Sequence, residues 1–270
     1  MRNGSDDAKL KGMSSPRRTA LITGASAGLG AEFAGQLAEQ GMNLVLVARR
    51  EEQMESVAEP LRVRHGIETT LIGADLSERE APARIHAELA ERGVKVDYLI
   101  NNAGASSGNL LKDRDFVVHA RYLELMVLSV AHMCHLFVPG MQERGFGRVI
   151  NVSSVAARVP RAGGCLYGPS KAYLVHMSEE LHLTVRGDGV NVCALCPGFT
   201  HTEFHAVAGS LEMKANSPKI LWYDADVVVR EGLRAVERGK PVQISGRIYR
   251  FVDPFMQSVW TRWLFRRMAS

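Results

Sequence analysis

From Thr19 onward, short apolar runs alternate with segments of helical periodicity, and that alternation leaves few folds open. "TALIT" (19–23) reads as a strand and "GLGAEFAGQLAEQG" as a helix with Gly41 at its C-cap. "NLVLVA" follows, then a charged helix near 50–64, "TTLIGAD", a polar helix over roughly 78–92 and "VDYLINNAG". A long helix through about 114–142, "GRVINVSS", a helix from about 166 and "VNVCALCPG" complete the series. Strand–helix alternation requires a parallel sheet, and near-continuous apolar strands fit a sheet covered on both faces. The expected fold class is therefore α/β, a doubly wound parallel sheet with helices on both faces, in one domain over residues 17–270.

In such a sheet, ligands bind outside the carboxyl ends of the strands. The unusual residues of this chain fall there repeatedly. "TGASAGLG" (23–30) joins the first strand to the first helix, and Gly24, Gly28 and Gly30 permit close approaches that a Cβ would block. The helix that follows offers N–H groups and a positive dipole end to an anion such as a pyrophosphate, so the sheet is expected to be Rossmann-like. The spacing is G-x-x-x-G-x-G, not the commoner G-x-G-x-x-G. In "CLYGPSKAY" (165–173), Tyr167 and Lys171 lie four positions apart and project from one helix face. A neighbouring ammonium is expected to lower the tyrosine pKa, as a general acid near neutral pH requires. The same spacing is common on exposed helices, so the pair acquires meaning only from its surroundings.

Those surroundings resemble the short-chain dehydrogenases/reductases. "TGASAGLG", "NNAG" (101–104), "NVSS" (151–154), "YGPSK" (167–171) and "PGFTHT" (197–202) match that family's motifs in order and spacing over roughly residues 18–202. The resemblance implies that Ser154 holds a substrate carbonyl oxygen, Tyr167 donates the proton, and Lys171 lowers the tyrosine pKa and bonds the nicotinamide ribose. Ser153 is the rival for Ser154; adjacent strand residues face opposite ways, and Ser154 is chosen. Ser26 and Leu29 join the glycines as cofactor contacts. Asp75 and Leu76 sit where the family holds the adenine ring, and Asn102, Ala103 and Gly104 close the cleft, while Asn101 is read as structural. Pro197 and Gly198 turn the chain past the nicotinamide, with Thr200 and Thr202 as candidates for its carboxamide. An NAD-selective site normally carries a carboxylate at the end of the second strand. This chain has Ala48 there, followed by Arg49 and Arg50, which favours NADP(H) with Arg49 as the main 2′-phosphate contact. The alternative is a solvated helix start in which Glu51 and Glu52 pair with the arginines.

One departure stands out. Thirteen residues before Pro139, where the family usually has asparagine, this chain has Met126. A thioether cannot reproduce an amide's donors and acceptor. The family's relay water uses that position's backbone carbonyl, which Met126 retains, and Ser129 offers a substitute hydroxyl. The expectation is a modified relay with the thioether packing idly in the core. The leading reading is an NADP(H)-dependent carbonyl reductase, reversible as an alcohol dehydrogenase. Its alternative is a dinucleotide-binding sensor or scaffold that lost turnover through Met126.

Composition bounds the remainder. A net charge of +4 without a dense basic stripe argues against nucleic acid. Cys134, Cys165, Cys193 and Cys196 show no metal-like pairing and are read as core thiols in a cytoplasmic protein. His201 and His205 lack the surrounding pattern of a zinc motif, so no metal is expected. Residues 1–16 read as a disordered polar tail without the apolar core of a signal peptide, and no run of apolar residues approaches a membrane span. Phe204, Met213, Leu221 and Trp222 fall in a segment (203–223) read as a substrate lid, pointing to an apolar or bulky ketone or secondary alcohol. The C-terminal stretch near 253–268 reads as a helix docked on its own domain or a partner subunit, in preference to a membrane surface. A homodimer or homotetramer is expected.

Overall fold

The computed structural model describes residues 17–159, 162–163, 165–201 and 218–261. Strand β1 (Thr19–Thr23), helix α1 (Gly28–Glu39), β2 (Asn43–Ala48), α2 (Glu51–His65) and β3 (Thr69–Gly73) form the first half. Then come α3 (Ala81–Glu91), β4 (Tyr98–Asn101), α4 (Phe116–Leu123), α5 (Ser129–Glu143) and β5 (Gly147–Val152). The chain continues through α6 (Tyr167–Val185), β6 (Val190–Cys196), β7 (Phe199–Thr200), β8 (Trp222–Tyr223), α7 (Ala225–Glu237), β9 (Val242–Ile244) and α8 (Arg247–Gln257). Seven strands pair in parallel in the order β3-β2-β1-β4-β5-β6-β9. The order reverses between β1 and β4, and the crevice at that switch point is where such a sheet receives a ligand.

Alternate residues of the central strands feed two cores. On one face Ala20, Ile22, Leu44, Leu46 and Ile100 meet Phe33, Leu37, Met54, Val228 and Leu233 from α1, α2 and α7. On the other, Leu21, Val45, Val47, Leu99 and Val149 meet Ile85, Leu89, Met133, Phe137 and Met141 from α3 and α5. Both faces are dry, which is why the strands read as unbroken apolar runs. Gly41 takes φ +77° just beyond α1 and stops that helix as expected.

The structure corrects four expectations. The long helix after β4 is not regular: Glu124–Leu128 forms a π-helical turn between α4 and α5, with the Ser129 N–H donating to the Glu124 carbonyl. By length and mean hydropathy, Phe116–Glu143 would suffice to cross a membrane, so the view that nothing here could was too strong. Its inner line of Met133, Cys134, Phe137, Val138 and Met141 packs on the sheet, as a core helix does. Cys165 is exposed at φ +67°, whereas Cys134, Cys193 and Cys196 are buried; all four are free thiols. The C-terminal helix lies earlier than expected, ending at Gln257 where Ser258 becomes extended; residues 262–268 lie outside the described residues. The tail at 1–16 and most of the expected lid, including Phe204 and Met213, also lie outside them.

Candidate active site

The cofactor side is built around Thr23, the last residue of β1. Its Oγ1 accepts from the backbone N–H of Asn102 at 2.9 Å and of Ala103 at 3.0 Å, tying the end of β4 to the glycine-rich turn. The Asn102 amide donates to the carbonyls of Thr23 at 2.9 Å and Gly24 at 3.2 Å. Gly24 adopts φ +64°, and a Cβ on Gly30 would collide with the Gly24 carbonyl oxygen, so both glycines are required by the turn itself. Ala27 is the N-cap of helix α1 and provides no side-chain cap, and the first turn carries no acid. The N–H groups there are aimed at whatever anion the crevice admits, which fits a dinucleotide pyrophosphate.

At the rim, Arg50 donates to Ser26 Oγ at 3.1 Å, which brings a guanidinium to the turn. Asp75 accepts from the Ser77 N–H and hydroxyl at 2.9 and 2.8 Å. Burial opposes its ionisation, but those two bonds and the charges of Arg49 and Arg121 prevail and hold the carboxyl below its ordinary range. Arg49 therefore stands in the same electrostatic neighbourhood as Asp75, beside Ala48 at the end of β2. Leu76 is buried in the α3-side core, Leu29 packs against the opposite core, and Gly104 lies within van der Waals reach of Met126.

The chemical side gathers at the ends of β5 and β6. Ser153 is buried, and its hydroxyl donates to the Lys171 carbonyl at 2.7 Å. Ser154 lies at the start of a short 3₁₀ turn (Val155–Ala157), where its Oγ accepts from the Ala156 N–H at 3.1 Å. The same hydroxyl is hydrogen-bonded to Tyr167. Ser154, not Ser153, thus stands next to the tyrosine. Lys171 is buried, and its ammonium donates to the Val152 carbonyl at 2.8 Å, 5.8 Å from the centre of the Tyr167 ring. Burial depresses its pKa to about 8. The expected lowering of the Tyr167 pKa is not met: burial raises it, against the Ser154 hydrogen bond, and the ammonium is engaged with a strand carbonyl instead. Tyr167 is accordingly held in its protonated, donating form.

Met126 is in the π-helical turn and is fully buried. Its sulfur accepts from the Ala105 N–H at 3.3 Å, so the thioether is not idle; it fastens the strand-end loop to the helix. Ser129 does not offer its hydroxyl to the site, because Oγ donates to the Leu125 carbonyl at 2.6 Å. Asn101 is structural as expected, donating to the buried Asn151 side chain at 2.8 Å.

Beyond β6, Gly198 is covered by the Tyr249 ring, with no room for a Cβ. Thr200 is buried and donates to the Gly198 carbonyl at 3.1 Å; Thr202 and His205 lie outside the described residues. His201 stacks on Trp222 at 5.2 Å, and among the described residues no cluster of metal-ligating side chains exists. The strand pair β7–β8 sets Trp222 against Phe199 at 5.1 Å, so Trp222 and Tyr223, at the end of the expected lid segment, belong to a paired strand. Sequence reasoning missed Thr23, whose role depends on a strand 77 residues away. It also missed Arg158, which forms a bidentate ion pair with Asp253 at 2.7 and 2.8 Å, anchoring α8 to the turn that begins at Ser154.

A family model for short chain dehydrogenase matches residues 18–212. The chain belongs to the short-chain dehydrogenases. It is 33% identical over 195 residues to a very-long-chain 3-oxoacyl-CoA reductase of Anas platyrhynchos, a match covering 70% of this chain and 62% of the relative. This chain thus spans less than two thirds of that relative's length. A short-chain dehydrogenase from Sphingobium yanoikuyae in complex with NADPH superposes with a TM-score of 0.77 at 31% identity, over 84% of this chain and 87% of the other. The bulky-bulky ketone specific alcohol dehydrogenase from Comamonas testosteroni gives 0.73 at 29% identity, over 84% and 85%. The chain is thus a member of this family by sequence and by fold.

Proposed function

We propose that the chain is an NADP(H)-dependent carbonyl reductase, reversible as an alcohol dehydrogenase, acting on an apolar or bulky ketone or secondary alcohol. The observation that carries this reading is the convergence of Ser154, Tyr167 and Lys171 at the sheet's carboxyl edge, with Tyr167 half-buried and held in its protonated form. NADP(H), when bound, supplies or accepts the hydride. Ser154 positions the carbonyl oxygen through its hydroxyl. Tyr167 Oη gives its proton to that oxygen as negative charge develops there, and recovers one when an alcohol is oxidised. Lys171 holds the end of β5 through Val152 and places a cation near the resulting phenolate. The phosphate-bearing cofactor is supported by Arg49 and Arg50 beside Ala48, where an NAD site would carry an acid, and by the NADPH complex of the Sphingobium relative. A bulky substrate is in keeping with the Comamonas enzyme's ketone preference. Four free thiols suit a reducing compartment, and we place the enzyme in the cytoplasm.

The test is NADPH and NADH oxidation across a panel of ketosteroids, long-chain acyl ketones, sugars and quinones, with Tyr167→Phe as control. Turnover of apolar ketones with NADPH, lost by several orders of magnitude in Tyr167→Phe while NADPH still binds, is the expected result. Turnover that survives in the phenylalanine variant would overturn the mechanism. NADPH binding without turnover of any carbonyl compound would favour the sensor.

A further inference from the structure

Helix α8 has two faces of opposite character. Tyr249 and Asp253 look inward, onto Gly198 and Arg158, and dock the helix on its own domain. Arg247, Arg250, Phe251, Pro254 and Phe255 form the other face, at the i, i+3, i+4, i+7, i+8 positions of one helical stripe, and all are exposed. Phe251 is 73% exposed, its ring 5.9 Å from that of Phe255. Just beyond the helix, Val259 and Trp260 are 82% and 84% exposed. Contiguous aromatic surface of this kind marks an interaction site.

Charge identifies the occupant. Residues 247–270 contain five arginines, one aspartate and neither lysine nor glutamate. The aspartate is Asp253, which pairs with Arg158, and Arg250 pairs with Glu231 of α7. These 24 residues carry a net +4, which is the net charge of the whole chain, so the other 246 residues balance to zero. A second copy packed on this face across a two-fold axis would set arginines against arginines. An anionic lipid surface would accept both features, apolar rings at the acyl boundary and guanidiniums among headgroup phosphates.

We propose that the exposed face of α8, with Val259 and Trp260, docks the enzyme on anionic membrane surfaces, the net positive charge of residues 247–270 favouring an anionic one. The inference is independent of which carbonyl compound is reduced. The experiment is flotation of the full chain with phosphatidylcholine vesicles, with and without about one-third phosphatidylglycerol, at low and high salt, alongside light scattering for oligomeric state. The wild type should float with anionic vesicles only, and raised salt should weaken binding. Phe251→Ser with Trp260→Ser should reduce the partition coefficient roughly tenfold or more. Arg247→Glu with Arg266→Glu should do the same without touching the apolar face; thermal unfolding midpoints equal to wild type show that both variants remain folded. Failure of the wild type to float with anionic vesicles at low salt would overturn the proposal. So would equal flotation of wild type and both double variants, or a serine variant that loses an oligomer while the wild type ignores lipid.

Discussion

Replacing Lys171 with methionine should change how stability depends on pH, in a direction fixed by the burial of the ammonium. The folded-state pKa is depressed from 10.5 to about 8 because the group is desolvated, its hydrogen bond to the Val152 carbonyl notwithstanding. Below about pH 8 both folded and unfolded chains carry the proton, and the folded state bears the full penalty of a charged, buried amine. Between about 8 and 10.5 the unfolded chain holds a proton that the folded chain has released, so stability rises with pH through that window. The shift corresponds to ~3 kcal/mol. Lys171→Met removes this titration and leaves the Val152 carbonyl unpaired, a pH-independent cost of about 1–3 kcal/mol. At pH 7 the variant should therefore match or slightly exceed the wild type in stability while having lost turnover. By pH 10 it should be the less stable protein. Urea unfolding of both cofactor-free proteins at several pH values between 7 and 10.5 measures the difference, and groups common to both largely cancel. A stability difference that stays constant over that range, or moves in the variant's favour as pH rises, would refute the reasoning.

Arg49→Ala should weaken NADPH binding roughly tenfold or more and leave NADH binding nearly unchanged, because only one of the two cofactors presents a phosphate to a guanidinium; isothermal titration with each cofactor checks it. Met126→Leu conserves volume but leaves the Ala105 N–H without its sulfur acceptor, so stability should fall by about 1 kcal/mol in a denaturant titration. Asp253→Ala strands Arg158 beside the Ser154 turn and should cost about 3 kcal/mol, whereas Arg158→Leu combined with Asp253→Leu should recover much of that loss in thermal unfolding.

Much of this architecture is local and was therefore readable from the chain. Strands β1 and β2 coincide with the apolar runs "TALIT" and "NLVLVA", since a strand dry on both faces has no polar alternation to blur its ends. The glycine-rich turn was legible because positive φ and close packing admit few other residues. The π-helical turn at Met126 was not, because it rests on the Ser129 N–H reaching the Glu124 carbonyl, a choice that no residue type announces. Helical spacing correctly put Tyr167 and Lys171 on one side of α6. It could not reveal that a carbonyl from β5 would engage the ammonium while burial dominated the phenol. The Arg158–Asp253 pair joins residues 95 apart, and no local pattern announces it. Three of four cysteines obeyed the rule that free thiols are buried; Cys165, at φ +67°, is exposed.

The small β7–β8 sheet has a consequence for how the chain tolerates insertion. Phe199 pairs with Trp222 and Thr200 with Tyr223, and Trp222 is sandwiched by stacking on Phe199 and His201. The chain is therefore held at Phe199–His201 and again at Trp222–Tyr223 by contacts between those two segments. Closing a chain between fixed points grows only logarithmically more costly with length, about 0.6 kcal/mol for each doubling. The paired strands themselves therefore set little limit on how much chain separates them. Insertions between them should leave the sheet, the glycine-rich turn and the Ser154–Tyr167–Lys171 arrangement in register at little cost to folding.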